Sequence, residues 1–177
     1  GRGCRPQGDT MKSMLVAALA AAFCCVPARS AHAADATPIR IAAEVPYRAE
    51  VGGELIRQEC EFGRDLSSSI VRHAGGRVVV AAPGEDAGRR LDIVVTKAHA
   101  AGGGAISGPK WGRIYGELKE DGRVVGNFSF KRTTSRPFTF RACTTLKRVA
   151  EALGGDVARW LENPTLDPLM TEEIAAN

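Results

Sequence analysis

The sequence predicts an α+β domain: a largely antiparallel β-sheet with two helices packed on one face, in the order β-α-β-β-β-β-α. Three observations predict it. Two segments carry apolar residues at helical spacing, one early (Phe62, Leu66, Ile70) and one late (Leu146, Val149, Ala150, Leu153, Val157, Leu161). Between them lie short runs of period-two alternation, the pattern of half-buried strands. Two of those runs are separated by Asp121-Gly122, a strong hairpin signal because the tight turn needs positive φ at both positions. Helices on one face of such a sheet leave the other to water or to a partner.

The first strand starts at Ile39, where Ile39, Ile41, Ala43 and Val45 alternate with Arg40, Ala42 and Glu44. It stops at Pro46, which has no N–H for a ladder. Residues 47–59 declare no element beyond a turn at Gly52-Gly53. A helix follows from about Glu61 to Ala74, with Gly75-Gly76 as its left-handed stop. Val78-Val79-Val80 reads as a short buried strand closed by Pro83-Gly84. Leu91, Ile93 and Val95 alternate with Asp92, Val94 and Thr96, and the strand runs toward Ala100 with Lys97 and His99 continuing the alternation. Past the glycine-rich stretch Gly102 to Gly108, a strand from Trp111 to Lys119 meets the Asp121-Gly122 turn. The return strand, Arg123 to Arg132, places Val124, Phe128 and Phe130 on one face. The last helix runs from about Phe140 to Glu162 and ends at Pro164. Gly154-Gly155 in its middle costs roughly 1 kcal/mol of helicity per glycine and is the place for a kink. The expected core joins Phe62, Leu66, Ile70, Leu146, Val149, Leu153 and Val157 to Ile41, Val80, Ile93 and Phe128.

Ahead of this domain stands a segment of another kind. From Met11 the chain reads Lys12, an apolar run from Met14 to Val26, the breaker Pro27, and then Ala31-His32-Ala33. A positive start, a short apolar stretch and small residues at a cleavage site make a secretory signal over residues 11–33. The run falls short of the roughly 20 apolar residues a membrane-spanning helix needs. Neither Cys24 nor Cys25 follows the small residue that a lipid-acceptor cysteine requires. Residues 1–10, rich in Gly and Arg, read as a disordered extension, and residues 34–177 as one mature domain.

The whole chain carries 24 Lys and Arg against 20 Asp and Glu. Without residues 1–33 the balance is 20 against 19, so the basicity belongs largely to the leader. A near-neutral domain of interleaved charges gives no electrostatic case for nucleic acid. Of five cysteines, only Cys60 and Cys143 lie in the mature part. An even pair in an oxidising compartment predicts a disulfide closing a loop of about 80 residues. If every element simply reversed direction, however, the two helices would run antiparallel. Their starts, and the two cysteines, would then lie at opposite ends of the sheet, beyond the roughly 7 Å between Cα atoms that a disulfide spans. Either residues 47–60 carry the chain back, or one connection is not a plain reversal, or the pair is not bridged.

The chemical motifs are weak. Ser107-Gly108-Pro109-Lys110 has the S-x-x-K spacing of exported acyl-serine enzymes, but Gly and Pro between the two replace the helix that would bring Lys to Ser. Gly103 to Gly108 has the spacing of a phosphate loop, yet Pro109 stands where its Lys belongs. His73 and His99 lack a cluster at ligand spacing, Ser67-Ser68-Ser69 has no identifiable partners, and Glu59 with Glu61 reads as a solvated helix start. No catalytic, cofactor or metal site emerges, and no cofactor is expected. A candidate binding surface does emerge: Trp111, Arg113 and Tyr115 share one strand face by period two, beside Ser107 and Lys110 of the loop.

At Ser107-Gly108-Pro109-Lys110, the Asp121-Gly122 hairpin and the closing Leu153-Gly154-Gly155-Asp156-Val157-Ala158-Arg159-Trp160-Leu161, the chain resembles a family of small exported proteobacterial proteins. The resemblance runs from about Cys60 to Pro164 and implies an exported compartment without implying an activity. The layout is also similar to the sheet-plus-two-helix envelope domains of auxiliary lipoproteins, an analogy of fold. The expectation is a periplasmic or secreted accessory or binding protein, with an envelope protein or a small ligand as its partner. The alternatives are a small exported hydrolase whose site assembles only in three dimensions, and a component of an envelope complex.

Overall fold

The computed structural model describes residues 37–49, 51, 54–85, 88–100, 108–134 and 142–170. The expected extension and signal segment, Ser107 and most of the glycine-rich loop lie outside them. The elements are β1 (Ile39–Ile41), α1 (Glu54–Glu59), α2 (Phe62–His73), β2 (Val78–Val80), β3 (Arg89–His99), β4 (Trp111–Glu120), β5 (Arg123–Thr133) and α3 (Ala142–Trp160). This is the expected α+β arrangement with one short helix added, α1, in the stretch that declared nothing. Five strands form one sheet in the order β2-β1-β3-β4-β5. The long pairs, β3 with β4 and β4 with β5, are antiparallel, whereas the short β1 lies parallel to both β2 and β3.

That mixed edge resolves the problem of the cysteines. A strand–helix–strand unit, β1-α2-β2, returns the chain parallel to itself. The connection from β2 to β3 then crosses β1 on the side away from the helices, where Glu85 pairs with Arg40 at 2.5 Å. It delivers β3 parallel to β1 again, so this connection is not a plain reversal. Two antiparallel steps later, α3 runs alongside α2 in the same direction. Contacts in step along the pair follow: Asp65 with Lys147 at 3.4 Å, Ser69 with Glu151, and Arg77 with the Ala158 carbonyl at 3.1 Å. Cys60 and Cys143 therefore lie at one end, with Cα atoms 5.0 Å apart, and are joined by a disulfide.

The helices cover one sheet face. Their stripes (Phe62, Leu66, Ile70; Leu146, Val149, Leu153, Val157) are buried against Ile39, Ile41, Leu91, Ile93, Val95, Ile114, Leu118 and Phe128. Two expectations need correction. Val80 is 48% exposed and only Val78 of β2 is buried, because β2 is the outermost strand and meets the helices through one residue. Val124 does not share a face with Phe128 and Phe130. A bulge shifts the β4–β5 register between Leu118 and Lys119, so that Val124 pairs with Lys119 while Phe128 pairs with Gly116. The turn between these strands has positive φ at both residues, 49° at Asp121 and 80° at Gly122, as its sequence requires. Gly75 and Gly76, at φ 59° and 87°, end α2 as expected. The glycine pair in α3 leaves the helix unbroken from Ala142 to Trp160.

Candidate functional site: the open face of the sheet

The face turned away from the helices carries residues of opposite parity to the core. Trp111, Arg113, Tyr115, Glu117 and Lys119 come from β4. Across from them stand Lys97, Val94, Asp92 and Arg90 on β3, and Thr133, Lys131, Ser129 and Asn127 on β5. Three predicted surface residues are thus together on one face. They differ in exposure: Arg113 is exposed, Trp111 half-buried and Tyr115 only 5% exposed. Lys110 is 2% exposed, and its backbone exchanges hydrogen bonds with Thr134 (2.8 and 3.2 Å) just beyond Trp111. It belongs to the frame of the sheet and not to its accessible surface.

Charge divides this face in two. At one end the charges are satisfied: Arg90 and Lys119 hold the Asp92 carboxylate at 2.6 and 3.1 Å, and Lys119 also reaches Glu117 at 3.2 Å. Tyr115 Oη donates to Glu117 at 2.8 Å. Burial pushes the Asp92 carboxyl up, but the hydrogen bonds from Arg90 and Lys119 outweigh it and leave the carboxyl below its ordinary value. Lys119 is raised, chiefly by its bond to Asp92.

At the other end the charges are not satisfied. Lys97, Arg113 and Lys131 stand directly opposite one another on β3, β4 and β5, and no carboxylate among the described residues lies within ion-pair distance of them. Neighbouring strands are about 4.8 Å apart, and like charges in directly opposed positions destabilise a sheet. Trp111 flanks the row, with His99 stacked at 5.9 Å and the Lys131 ammonium 4.7 Å from the ring centroid. The result is an aromatic and cationic surface.

Sequence reasoning found Trp111 and Arg113 but missed Lys97 and Lys131. Plain alternation from Val95 sends Lys97 and His99 to the core side. A bulge between Val95 and Lys97 inserts Thr96 as an extra residue and turns both to the open face. Lys131 was legible by parity with Ser129, yet only the register shows that it faces Arg113.

Elsewhere, Ser69, His73 and Glu151 meet at the seam of α2 and α3. Ser69 Oγ donates to the Glu151 carbonyl at 3.2 Å, while His73 Nε2 lies 2.9 Å from the Glu151 carboxylate, which also pairs with Arg72. Serine and histidine both address Glu151 and not each other, so the cluster ties helix to helix and is no nucleophile–base pair. Among the described residues no group of three or more His, Cys, Asp or Glu is placed to hold a metal ion. No described helix is long and apolar enough to cross a membrane.

The described residues therefore form an α+β domain with two long parallel helices, a disulfide and a sheet face that these helices leave open. No family model and no curated protein matches the sequence. Solved structures of similar layout include a PelC dodecamer from Paraburkholderia phytofirmans, at 18% identity and a TM-score of 0.48, covering 69% of this chain and 86% of that one. Another is protein XCC0632 from Xanthomonas campestris, of the DUF330 family, at 15% identity and a TM-score of 0.45, covering 72% of this chain and 84% of that one. The named sources are proteobacteria. Similarity at this level brings neither a family nor an activity to the chain.

Proposed function

We propose that this chain is an exported accessory or binding protein of the periplasm that engages an acidic partner through the cationic end of its open sheet face. The observation that carries the reading is the row Lys97–Arg113–Lys131, three cations in cross-strand register with no carboxylate partner among the described residues, beside Asp92, Glu117, Arg90 and Lys119, which are paired. A sheet keeps such a row at a cost in its own stability, which an anionic partner would remove. The Cys60–Cys143 disulfide supports an oxidising compartment, as does the signal-like segment ending at Ala33.

The test is a pull-down from the native envelope with the mature protein and with Arg113→Glu, at rising salt. The expected result is a partner retained by the wild type, released by salt and lost in the variant. Identical capture by both proteins would overturn the reading. Sequencing the N-terminus of material from the exported fraction tests the compartment, with Ala34 expected as the first residue.

A further inference from the structure

We propose that the outer edge of β5, from Ser129 to Thr133, is a strand-addition site for an extended acidic segment of a partner protein. β5 is the last strand of the sheet, so one side of its backbone has no neighbouring strand among the described residues. The direction of its N–H groups is fixed at two points. Asn127 N–H points outward, to the Thr165 carbonyl at 2.9 Å, while Thr134 N–H points inward, to the Lys110 carbonyl at 2.8 Å. The register between them is regular, so Ser129, Lys131 and Thr133 share the outward direction of Asn127. None of these three outward N–H groups meets an acceptor among the described residues.

The chain itself uses this edge at one residue. Its segment after α3 lies along the edge at Asn127. Besides the Thr165 bond, Asp167 N–H donates to Asn127 Oδ1 at 2.8 Å and Asn127 Nδ2 donates to the Asp167 carbonyl at 2.7 Å. Beyond Asn127 the edge opens onto a groove of about 450 Å3 between β5 and the end of α3, lined by Phe130 and Arg132 on the strand and Asp156, Arg159 and Trp160 on the helix. A strand edge beside a helix is a recurring cradle for an extended peptide: main-chain bonds supply affinity and alternate side chains supply specificity.

The charges choose the occupant. Arg132 takes the Asp156 carboxylate through two bonds of 2.5 Å, and Arg159 shares it at 3.4 Å, so two cations meet one acid in the groove. Lys131, on the open-face side of the same edge, adds a third cation, without a carboxylate partner among the described residues. A second copy of this chain fits poorly. Symmetric pairing of two β5 edges over Ser129–Thr133 centres on Lys131 and sets that lysine against its own copy. The matching segment alternates acidic side chains, toward Lys131, with apolar ones, toward Phe130 and Trp160.

The test uses the mature, disulfide-bonded protein and three blocked eight-residue peptides. One alternates Glu and Val, its twin is N-methylated at every second backbone nitrogen, and a third replaces Glu by Lys. Affinity is read by anisotropy of labelled peptide, and hydrogen exchange is read at the Ser129, Lys131 and Thr133 amides. The acidic peptide should bind and protect those three amides, with the methylated twin and the Lys peptide about tenfold weaker or worse. The double variant Lys131→Glu, Arg159→Glu, with an unchanged melting curve, should prefer the Lys peptide. Equal binding of the methylated twin, protection elsewhere, or no binding of any peptide would each overturn the proposal. So would a dimer in which those amides are already protected. Methylation reads backbone pairing alone, so its failure leaves the open-face reading standing.

Discussion

At the scale of single residues, Gly154 of α3 packs tightly against Ser69 of α2. A Cβ there would stand 2.3 Å from Ser69 Oγ, 2.6 Å from Ser69 Cβ and 3.0 Å from the Ile70 nitrogen, while one on Gly155 would meet nothing. Two neighbouring glycines thus answer the same substitution with opposite signs. Gly154→Ala should destabilise by about 1–3 kcal/mol through overpacking, and Gly155→Ala should stabilise by up to about 1 kcal/mol through helix propensity. Urea unfolding of the two variants checks this, and equal effects would mean the helix contact is misplaced. The sequence contained half of this result, since residue 154 falls four after Ala150 and three before Val157 and so lies on the buried stripe. That a serine of α2 fills the space depends on the helices being parallel, which no local pattern records. Asp92 makes a second prediction. Its carboxyl is held below the ordinary value, so its pairing contributes stability that is whole above about pH 4 and is lost as pH falls through the lowered value. Asp92→Asn should therefore melt below the wild type at pH 7, with the gap closing as the medium is acidified toward pH 2. A gap that is the same at both pH values would refute the ion pairing.

At the scale of elements, the long regular pieces were legible and the irregular ones were not. α3 declares itself by a stripe that recurs every three or four residues, and Leu146, Val149, Leu153 and Val157 are all at most 2% exposed. Leu153→Ala, at 0% exposure, should cost about 2–5 kcal/mol in chemical unfolding, and a change below about 0.5 kcal/mol would mean the stripe faces elsewhere. The β4–β5 hairpin was equally plain, because its turn chemistry is local. The two bulges were invisible, for an extra residue leaves no mark in an alternating pattern; it only reverses parity beyond it. That reversal decides the candidate site, since it is the bulge at Thr96 that brings Lys97 opposite Arg113. α1, only six residues long, and the exposure of β2 escaped for related reasons. One is too short to show a period, and the other depends on which strand ends up outermost.

At the scale of the whole molecule, one connection governs the rest. β2 and β3 lie on either side of β1 and both run parallel to it, and this sets α3 alongside α2 with both starts at one end of the sheet. Topology of this kind depends on tertiary contacts between residues far apart in sequence, such as Ile41 with Val80 and Leu91, so local patterns pose the alternatives without choosing among them. The disulfide is its most testable consequence. Cys60 and Cys143 are separated by 83 residues, a long loop whose closure removes much freedom from the unfolded chain. Neither cysteine belongs to a C-x-x-C pair, so the bond is read as structural, without redox chemistry of its own. The mature protein, alkylated without reduction, should keep the mass of an unmodified monomer. Reduction, or Cys143→Ser, should cost about 2–5 kcal/mol and lower the melting temperature without abolishing the helices, whose stripes remain buried against the sheet. Two alkylated cysteines in a folded monomer would refute the bond. A dimer that separates only on reduction would move it between chains, and the parallel arrangement of α2 and α3 would then have to stand on Ser69, Gly154 and the ion pairs along their seam alone.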